Sequence, residues 1–468
     1  MKLRKTKIIA TLGPATESPE LIGELIRAGA SIFRLNMSHA AHDWVRTVTD
    51  HIRSQAAALG EHVAILIDLQ GPSIRTGELA TKWPLEAGQR VEFRNQELDP
   101  GEELSTTTNY EGLHGDLSVG DTLLVDNGEI HMRVERIGEG RTVCEVITPG
   151  LMGSRRKINL PGVRLNLPAL TGKDHRDIAL ASELAVDYVA ISFARNAEHI
   201  RELRETLDET GCGARIVAKI EDQEAVKNIS GIITETDAVM VARGDLGIEV
   251  NIEELPVIQR NILRECARIG RKVIVATHML ESMVENPLPT RAEVTDVANA
   301  IYEQADTIML SGETSIGKYP TQSVAMLDRI ARRMEREPGA SFFDAIELKT
   351  AKQKTVHSAV VLANSLPDSK LLIFTARGVL ANYAAHQRPR ESPIFAFTPD
   401  SAVARSLVMN RAVSPFEMEM KDNPEDTITA AISRLSEAGY VEKGDPIVIL
   451  SDILKPDFDT DAILLRRV

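Results

Sequence analysis

Residues 215–247 read RIVAKIEDQEAVKNISGIITETDAVMVARGDLG and contain two β-rich runs separated by a stretch of helical length. The runs are Arg215–Glu221 and Ala238–Ala242, and both are short and largely apolar. Such runs are typical of strands that are buried on both faces of a parallel sheet. This strand–helix–strand unit therefore predicts an α/β fold.

The same alternation extends over the first 336 residues, where helical patterns separate most of the β-rich runs. Ser18-Pro19-Glu20 is a helix start signal, and Gly29 and Gly270 are stop signals, the latter closing a helix predicted over Glu253–Ile269. A doubly wound sheet is an alternative, but a count of eight runs favours a (β/α)8 TIM barrel. The eight predicted strands are Lys7–Leu12, Ser31–Leu35, Val63–Asp68, Tyr188–Phe193, Arg215–Glu221, Ala238–Ala242, Lys272–Ala276 and Thr307–Leu310.

One long segment, Pro72 to Pro168, interrupts this alternation after the third strand. It is rich in Val, Thr and Gly and carries turn signals such as Asp126-Asn127-Gly128. Runs such as Thr122–Val125 and Thr142–Ile147 are typical of short strands. We therefore predict an inserted all-β domain, placed at the catalytic face of the barrel, where it can act as a lid.

A third unit follows Glu337 and forms a C-terminal α/β domain. The predicted domains are thus a catalytic barrel at 1–71 and 169–336, an inserted β-barrel lid at 72–168, and the α/β domain at 337–468. The predicted helices of the C-terminal domain are Thr355–Asn364, Gly378–Gln387 and Asp426–Glu437. Its predicted strands are Leu371–Thr375, Ile394–Phe397, Pro446–Leu450 and Ala462–Leu465.

The composition narrows the class of protein. The chain has 468 residues and a formal net charge of −14, so it has no overall electrostatic reason to bind nucleic acid. Three widely spaced cysteines and the absence of a CxxC motif argue against a zinc site or a disulfide framework. The apolar run near the N-terminus is too short for a signal peptide or a membrane span, which predicts a soluble cytoplasmic protein.

Charged side chains cluster at the ends of neighbouring strands. Lys219 and Glu221 share one face of the fifth strand, and Gly244-Asp245 follows the sixth. Two carboxylates with few other ligands suit Mg²⁺, while Thr277 at the end of the seventh strand could bind a carboxylate or relay a proton. The alternatives are that Lys219 and Glu221 form a structural ion pair and that Gly244-Asp245 is a simple turn.

A second polar group follows the second and third strands. Arg34 and Asn36 share a face, and Arg34 and Arg75 are candidate phosphate ligands. Asn36, Ser38 and Asp68 offer oxygen donors for a weak monovalent-cation site, although ordinary loop polarity also explains them. These groups suit a phosphorylated, carboxylated small substrate. They do not by themselves choose between phosphoryl transfer and carbon–carbon chemistry.

Several motifs in the sequence occur in the order found in pyruvate kinases. They are KTKIIATLGPA, FRLNMSH, DLQGPSIRTG, VAKIE, VARGDLGIE, ATHMLESM and the run from PTRAEVTDVANAIYEQADTIMLSGET to GKYP, over residues 5 to 320. The chain resembles that family. The resemblance implies Mg²⁺- or Mn²⁺-dependent phosphoryl transfer from phosphoenolpyruvate to ADP, giving pyruvate and ATP. It also implies a homotetramer.

The resemblance further implies roles for individual residues. Lys219 would stabilise the phosphoryl group in flight, with Arg34 on the substrate phosphate. Glu221 and Asp245 would hold the divalent metal. Gly244, Asp245 and Thr277 would bind the substrate carboxylate, and Thr277 would belong to the path that protonates the enolate. The implied nucleotide ligands are Asn36, His39, Arg75 and Asp177, and the implied potassium ligands are Asn36, Ser38, Asp68 and Leu69.

Departures from the family pattern affect potassium and regulation. Potassium-requiring members read DTKGPEIRTG, whereas this chain has Leu69, Gln70 and Ser73 in place of Thr, Lys and Glu. The loss of the glutamate charge favours an enzyme that does not require potassium. Residues 375–380 carry one hydroxyl where members regulated by fructose 1,6-bisphosphate have a Ser/Thr-rich loop, so activation by that effector is not expected.

Two other functions are compatible with the barrel. A lyase or aldolase acting on a keto acid could use the same carboxylates, or Lys219 as a Schiff base, and would cleave its substrate without ADP. A non-catalytic sensor would bind ligand without turnover. The inserted domain argues against the first, and the retained charged residues argue against the second.

Overall fold

The computed structural model describes residues 3–101, 103–451 and 462–468. Eight parallel strands close into a barrel in which each strand pairs with its neighbours in sequence and the eighth returns to the first. The predicted barrel is therefore confirmed, with strand ends shifted by at most two residues. The barrel strands are Lys7–Thr11, Ile32–Asn36, Ala64–Asp68, Tyr188–Ile191, Arg215–Ile220, Ala238–Ala242, Lys272–Ala276 and Thr307–Leu310.

Helices surround the barrel, and the first of them begins and ends at its predicted signals. Ser18 accepts a hydrogen bond from the Leu21 amide, and Gly29 closes the first helix in the left-handed conformation that glycine favours. The helix predicted from Glu253 begins at Leu255 after a short 3-10 turn. The helices are Pro19–Ala28, His42–Leu59, Gly172–Glu183, Ala197–Glu209, Gln223–Lys227, Ile229–Glu235, Arg243–Glu249, Leu255–Ile269, Arg291–Tyr302, Gly312–Ser315 and Pro320–Met334, with 3-10 turns at Ile252–Glu254 and Glu281–Val284.

The interior of the barrel has an apolar lower layer and a charged upper layer. Ile32, Val217 and Leu66 are fully buried in the lower layer. Because strand side chains alternate, Arg34 and Lys219 lie on the same inward faces, two residues nearer the carboxyl ends. The apolar layer thus supports a charged floor at the mouth of the barrel.

The segment between the third and fourth barrel strands forms two small sheets. One is six-stranded and largely antiparallel, and the other has two strands. Their core is separate from that of the barrel. The elements are strands Trp83–Leu85, Arg90–Arg94, Leu104–Thr107, Thr122–Val125, Ile130–Gly138, Arg141–Thr148, Gly150–Met152 and Ile158–Asn159, and helix Leu113–Asp116. All lie within the predicted inserted domain, whose exact bounds and lid function stay predictions.

The C-terminal unit is a five-stranded sheet flanked by helices, with its last strand antiparallel. It contains a strand, Val413–Glu417, and a helix, Ser401–Leu407, that the sequence analysis did not predict. The remaining elements are a 3-10 turn Phe342–Ala345, helices Ala351–Asn364, Val379–His386 and Pro424–Glu437, and strands Lys370–Phe374, Ile394–Thr398, Pro446–Ser451 and Ala462–Arg467. The predicted third domain also includes 452–461, which lie outside the described residues.

The C-terminal unit packs against the amino ends of the barrel strands. Arg388 forms a buried ion pair with Asp306 at 2.6 Å, directly before the eighth strand. Arg405 contacts Asp187 at 2.8 Å, directly before the fourth. This arrangement leaves the carboxyl ends of the strands facing the inserted sheets. Within the described ranges, no helix has both the length and the apolar composition needed to cross a membrane.

Candidate active site

Lys219 lies at the centre of the charged layer. Its ammonium group is 2.8 Å from Glu221 and 3.3 Å from Asp68, and it donates to the Ser192 hydroxyl at 2.7 Å. Burial alone would lower the pKa of this lysine, but the two carboxylates outweigh burial and raise the pKa. A permanent positive charge is therefore held at the mouth of the barrel.

Arg34 supplies a second cation at the same layer. Its guanidinium contacts Asp68 at 2.7 Å and donates to the Thr11 hydroxyl at 3.1 Å. Burial would raise the pKa of Asp68, yet Lys219 and Arg34 together lower it. Asp68 is thus an anion that holds both cations in position.

Glu221 and Asp245 come from neighbouring strands and influence each other's titration. Glu221 is 1% exposed and accepts a hydrogen bond from the Phe193 amide at 2.8 Å. Burial, followed by the nearby Lys219 and Asp245, sets the pKa of Glu221, and the net effect raises it. Asp245 instead pairs with Lys157 of the inserted segment, and its pKa is lowered, since Lys157 and Lys219 outweigh burial.

Thr277 has a strained backbone that aims its hydroxyl at the sixth strand. Its φ of 67° is an unusual left-handed value for a β-branched residue. The hydroxyl accepts from the Gly244 amide at 2.7 Å and donates to the Ala276 carbonyl at 2.6 Å. Arg243 holds this turn by donating to the Thr277 carbonyl at 2.6 Å.

The four predicted nucleotide ligands occupy different environments. The Asn36 side chain accepts from the Ser38 amide at 3.2 Å, and His39 is exposed in the turn that follows. Arg75 donates to a backbone carbonyl of the inserted segment at 3.1 Å. Asp177 is fully buried, and its carboxylate contacts His42 at 2.7 Å and Lys173 at 2.6 Å, so it can reach a ligand only through these two side chains.

Two of the four predicted potassium ligands, Asp68 and the Leu69 carbonyl, already have other partners. Leu69 is buried, and its carbonyl accepts from Ser192 at 2.8 Å. Asp68 is committed to Arg34 and Lys219. Ser38 lies in the turn after the second strand, and its backbone amide binds Asn36. The structure therefore brings Asn36 and Asp68 to adjacent strand ends. A potassium ion bound there would compete with Arg34 and Lys219 for the Asp68 carboxylate.

Glu221 and Asp245 are the residues that could hold a divalent metal. The described part of the chain holds no group of three or more His, Cys, Asp or Glu residues suited to a metal. A metal held by these two carboxylates would therefore need further ligands from water or substrate. Mg²⁺ is commonly bound through one or two carboxylates plus substrate oxygens and water. The donor set fits such an ion, provided that Lys157 moves away from Asp245.

Three contributing residues were missed by the sequence analysis. Lys157 is separated from Asp245 by 88 positions, and no local pattern marks it. Ser192 follows the fourth strand, so its position at a strand end could have identified it. Arg243 could have been found by the same argument, since it directly follows the sixth strand. Each acts by positioning a residue that was predicted.

Comparisons with known proteins give a consistent result. The family model described as pyruvate kinase, barrel domain, matches residues 3–324, and that described as pyruvate kinase, alpha/beta domain, matches residues 353–463. The chain is 37% identical to a pyruvate kinase of Clostridium acetobutylicum over 96% of each protein. It is 38% identical to pyruvate kinase 2 of Synechocystis, over 97% of this chain and 77% of that relative.

A solved structure is also similar over nearly the whole chain. The crystal structure of a pyruvate kinase from Cryptosporidium parvum superposes with a TM-score of 0.94 at 32% sequence identity. The match covers 99% of this chain and 96% of that one. The likeness therefore extends to the barrel, the inserted sheets and the C-terminal unit together.

Proposed function

This chain belongs to the pyruvate kinase family, and from that premise we propose that it transfers the phosphoryl group of phosphoenolpyruvate to ADP. The products are pyruvate and ATP, in the final step of glycolysis. The observation that carries the proposal is the cluster at the barrel mouth, where Lys219 lies between Asp68 and Glu221. A cation held between two anions suits a reaction that needs positioning and charge stabilisation more than covalent catalysis.

The phosphoryl transfer breaks the bond between phosphorus and the enol oxygen and forms a bond to the terminal oxygen of ADP. Lys219 and Arg34 stabilise the negative charge on the transferring group, and Lys219 stays charged because Asp68 and Glu221 raise its pKa above the ordinary lysine value despite burial. Asp68 fixes both cations, with Arg34 at 2.7 Å. The chain's contribution to this step is thus a preorganised pair of positive charges.

The enolate left by this transfer must gain a proton at its methylene carbon to become pyruvate. The Thr277 hydroxyl lies on the proposed proton path and beside the Gly244 amide, 2.7 Å away. In the ligand-free arrangement that hydroxyl donates to the Ala276 carbonyl. We propose that the substrate carboxylate takes over the amides of Gly244 and Asp245, while Arg243 keeps Thr277 in place.

Glu221 and Asp245 hold Mg²⁺ or Mn²⁺ in this proposal. When bound, the ion supplies positive charge to the substrate's carboxylate and phosphoryl oxygens. Lys157 pairs with Asp245 and would have to leave that carboxylate for a metal to be held there, and the lysine would then be available to phosphate oxygens of the nucleotide. Lys157 and Arg75 pair directly across an antiparallel bridge, so their side chains leave the inserted segment on the same face.

The nucleotide binds between the second-strand turn and the inserted segment, near Asn36, His39 and Arg75. Asp177 acts indirectly in this proposal, because its carboxylate holds the side chains of His42 and Lys173 in position. The inserted segment then serves as a lid that excludes water from the transfer. The enzyme is further proposed to be a cytoplasmic homotetramer, an expectation carried from the family.

Potassium is not required in this proposal. Asn36, Ser38, Asp68 and the Leu69 carbonyl retain the oxygen donors, but Asp68 and Leu69 are already hydrogen-bonded or ion-paired. Ser73 also brings no negative charge to attract the ion. Turnover measured with potassium or with tetramethylammonium at equal ionic strength should therefore be similar, and dependence on potassium would contradict this part of the proposal.

The test of the main proposal is pyruvate formation from phosphoenolpyruvate and Mg²⁺, with and without ADP. Pyruvate should form only with both ADP and the metal. Pyruvate-dependent carbon–carbon cleavage without ADP would favour a lyase or aldolase. Binding of phosphoenolpyruvate by the folded protein without any turnover would favour a non-catalytic sensor.

A further inference from the structure

One cation of the inserted segment lies on a carboxylate that the proposed function assigns to the divalent metal. Lys157, directly before the strand Ile158–Asn159, forms an ion pair with Asp245 in the helix Arg243–Glu249. The Lys157 side chain is 14% exposed and that of Asp245 is 34% exposed, so the contact is partly shielded from water. The ammonium group therefore occupies one of the two proposed metal ligands.

The backbone on both sides of Lys157 is held by hydrogen bonds. The Lys157 carbonyl accepts from the Asp126 amide at 3.0 Å, and the next amide, that of Ile158, donates to the Ile74 carbonyl at 2.9 Å. Lys157 also pairs with Arg75 across an antiparallel bridge. The inserted segment thus presents this lysine from a fixed backbone, which limits the conformational entropy lost when its ammonium group binds a partner.

The same ammonium group contacts the loop that holds the second proposed metal ligand. It lies 4.8 Å from the centre of the Phe193 ring, which is within the range of a cation–π contact. The Phe193 amide donates to the Glu221 carboxylate at 2.8 Å. Lys157 therefore binds one proposed metal ligand directly and contacts the residue that fixes the other.

A second side chain beside Lys157 contacts the same helix. The Asn159 amide nitrogen donates to the Glu249 carboxylate at 2.7 Å, and the two residues are 4% and 7% exposed. Lys157 and Asn159 are two positions apart and share one face of an extended segment, while Asp245 and Glu249 are four positions apart and share one face of the helix. Because the Asn159 contact involves no proposed metal ligand, it can hold the inserted segment on the helix while Lys157 changes partner.

A divalent ion and the Lys157 ammonium group cannot share Asp245 without a large electrostatic cost. Both are positive, and two like charges a few ångströms apart repel strongly in a partly buried site. Among the described residues, Asp245 is the one carboxylate within ion-pair distance of Lys157. Lys219, by contrast, is held by Glu221 at 2.8 Å and by Asp68 at 3.3 Å. Lys157 is therefore the cation that can leave the site by giving up a single ion pair.

We propose that Lys157 is an internal competitor of the divalent metal, because both bind the Asp245 carboxylate and exclude each other there. The inference rests on the metal role that the proposed function gives to Glu221 and Asp245. The lysine lowers the affinity of the protein for the ion before substrates bind, and ion binding releases the ammonium group. Occupancy of the metal site is thus coupled to the inserted segment through one side chain.

Titration of the full-length protein with Mn²⁺ in the absence of substrates tests the proposal, with free Mn²⁺ measured by electron paramagnetic resonance. Lys157→Met removes the charge and keeps a long side chain beside Phe193. We expect it to bind Mn²⁺ about tenfold or more tightly than the wild type, the factor contributed by one charge-assisted hydrogen bond. Lys157→Gln, which keeps a polar end, should show the same gain. Lys157→Arg keeps the competing charge and should show no gain.

Two further variants separate this competition from other effects. Arg156→Met is the matched control, since it removes one positive charge at the adjacent position, where Arg156 pairs with Asp126 at 3.3 Å. Its Mn²⁺ affinity should stay within about threefold of the wild-type value, because a partly exposed charge without contact to the site acts weakly. Asp245→Asn removes the shared carboxylate and should weaken Mn²⁺ binding. Thermal unfolding confirms that each variant is folded.

Three outcomes would overturn the inference. The first is an equal or lower Mn²⁺ affinity in folded Lys157→Met and Lys157→Gln proteins. The second is an equal gain in Arg156→Met, which would show a general effect of net charge. The third is an unchanged Mn²⁺ affinity in Asp245→Asn, which would place the ion away from the shared carboxylate. Each is measured from ion binding alone, whereas failure of the proposed function would appear as absence of pyruvate formation.

Discussion

Replacing Lys219 by methionine removes the cation on which the proposed phosphoryl transfer depends. The ammonium group has three contacts, to Ser192 at 2.7 Å, Glu221 at 2.8 Å and Asp68 at 3.3 Å, and the residue is 8% exposed. Breaking a buried ion pair by removing one partner costs about 3–5 kcal/mol. Asp68 retains Arg34, and Glu221 can take up a proton, so we expect the lower end of that range.

The effect on turnover should be larger than the effect on folding. Removing a single neutral donor to a developing negative charge lowers kcat by about 10²–10³-fold. Lys219 supplies a full charge in a buried site, so we expect a loss of at least about 10³-fold, equivalent to about 4 kcal/mol in the barrier. The assay is the rate of pyruvate formation at saturating phosphoenolpyruvate, ADP and Mg²⁺, with Mg²⁺ affinity measured separately.

Lys272→Met is the matched control for this substitution. Lys272 is also buried in a barrel strand, but it lies at the amino end, away from the reaction centre, and burial lowers its pKa to about 8. The control should retain near-normal kcat. Near-normal kcat in a folded Lys219→Met protein would refute the assigned role, as would an equal loss in both variants.

Three further predictions concern potassium, substrate positioning and pH. Ser73→Glu should increase the dependence of turnover on potassium, and an unchanged response would contradict our interpretation of that position. Arg243→Lys should lower kcat about tenfold or more, because it loosens the turn that holds Thr277, and added external cations should not restore the rate. An unchanged kcat would show that the turn keeps its conformation without Arg243. Burial lowers the pKa of His386 to about 3, below the ordinary value of about 6.5. The folded state therefore binds fewer protons than the unfolded state, so the free energy of unfolding should fall as pH decreases from about 6.5 towards 3. Chemical denaturation of His386→Gln should show a smaller fall, and an equal fall would place the effect elsewhere.

The barrel could be predicted from the sequence because its signals are local. Each strand is a short buried run, and start and stop residues such as Ser18 and Gly29 lie directly beside the helix that they cap. The strand Val413–Glu417 was missed because Pro415 interrupts its pattern. The structure places that strand at the edge of its sheet, where proline is tolerated since one side of the strand needs no partner.

The candidate site was predictable only where its residues follow local signals of this kind. Lys219 lies near the carboxyl end of the fifth strand, Glu221 and Asp245 follow strand ends, and parallel strands bring their carboxyl ends together. The contact between Lys157 and Asp245 depends instead on how the inserted segment folds back onto the barrel, which no local pattern encodes. The commitment of Asp68 to two cations likewise became visible only when the neighbouring strands were placed side by side.

The most direct test of the central claim follows phosphorus itself. One mixture of the wild-type protein, phosphoenolpyruvate, ADP and Mg²⁺ is monitored by ³¹P NMR while pyruvate is quantified in the same sample. We predict that the phosphoenolpyruvate signal is replaced by that of ATP, with one pyruvate formed for each ATP. Release of inorganic phosphate with pyruvate but without ATP, or no change from a folded protein, would contradict phosphoryl transfer to ADP.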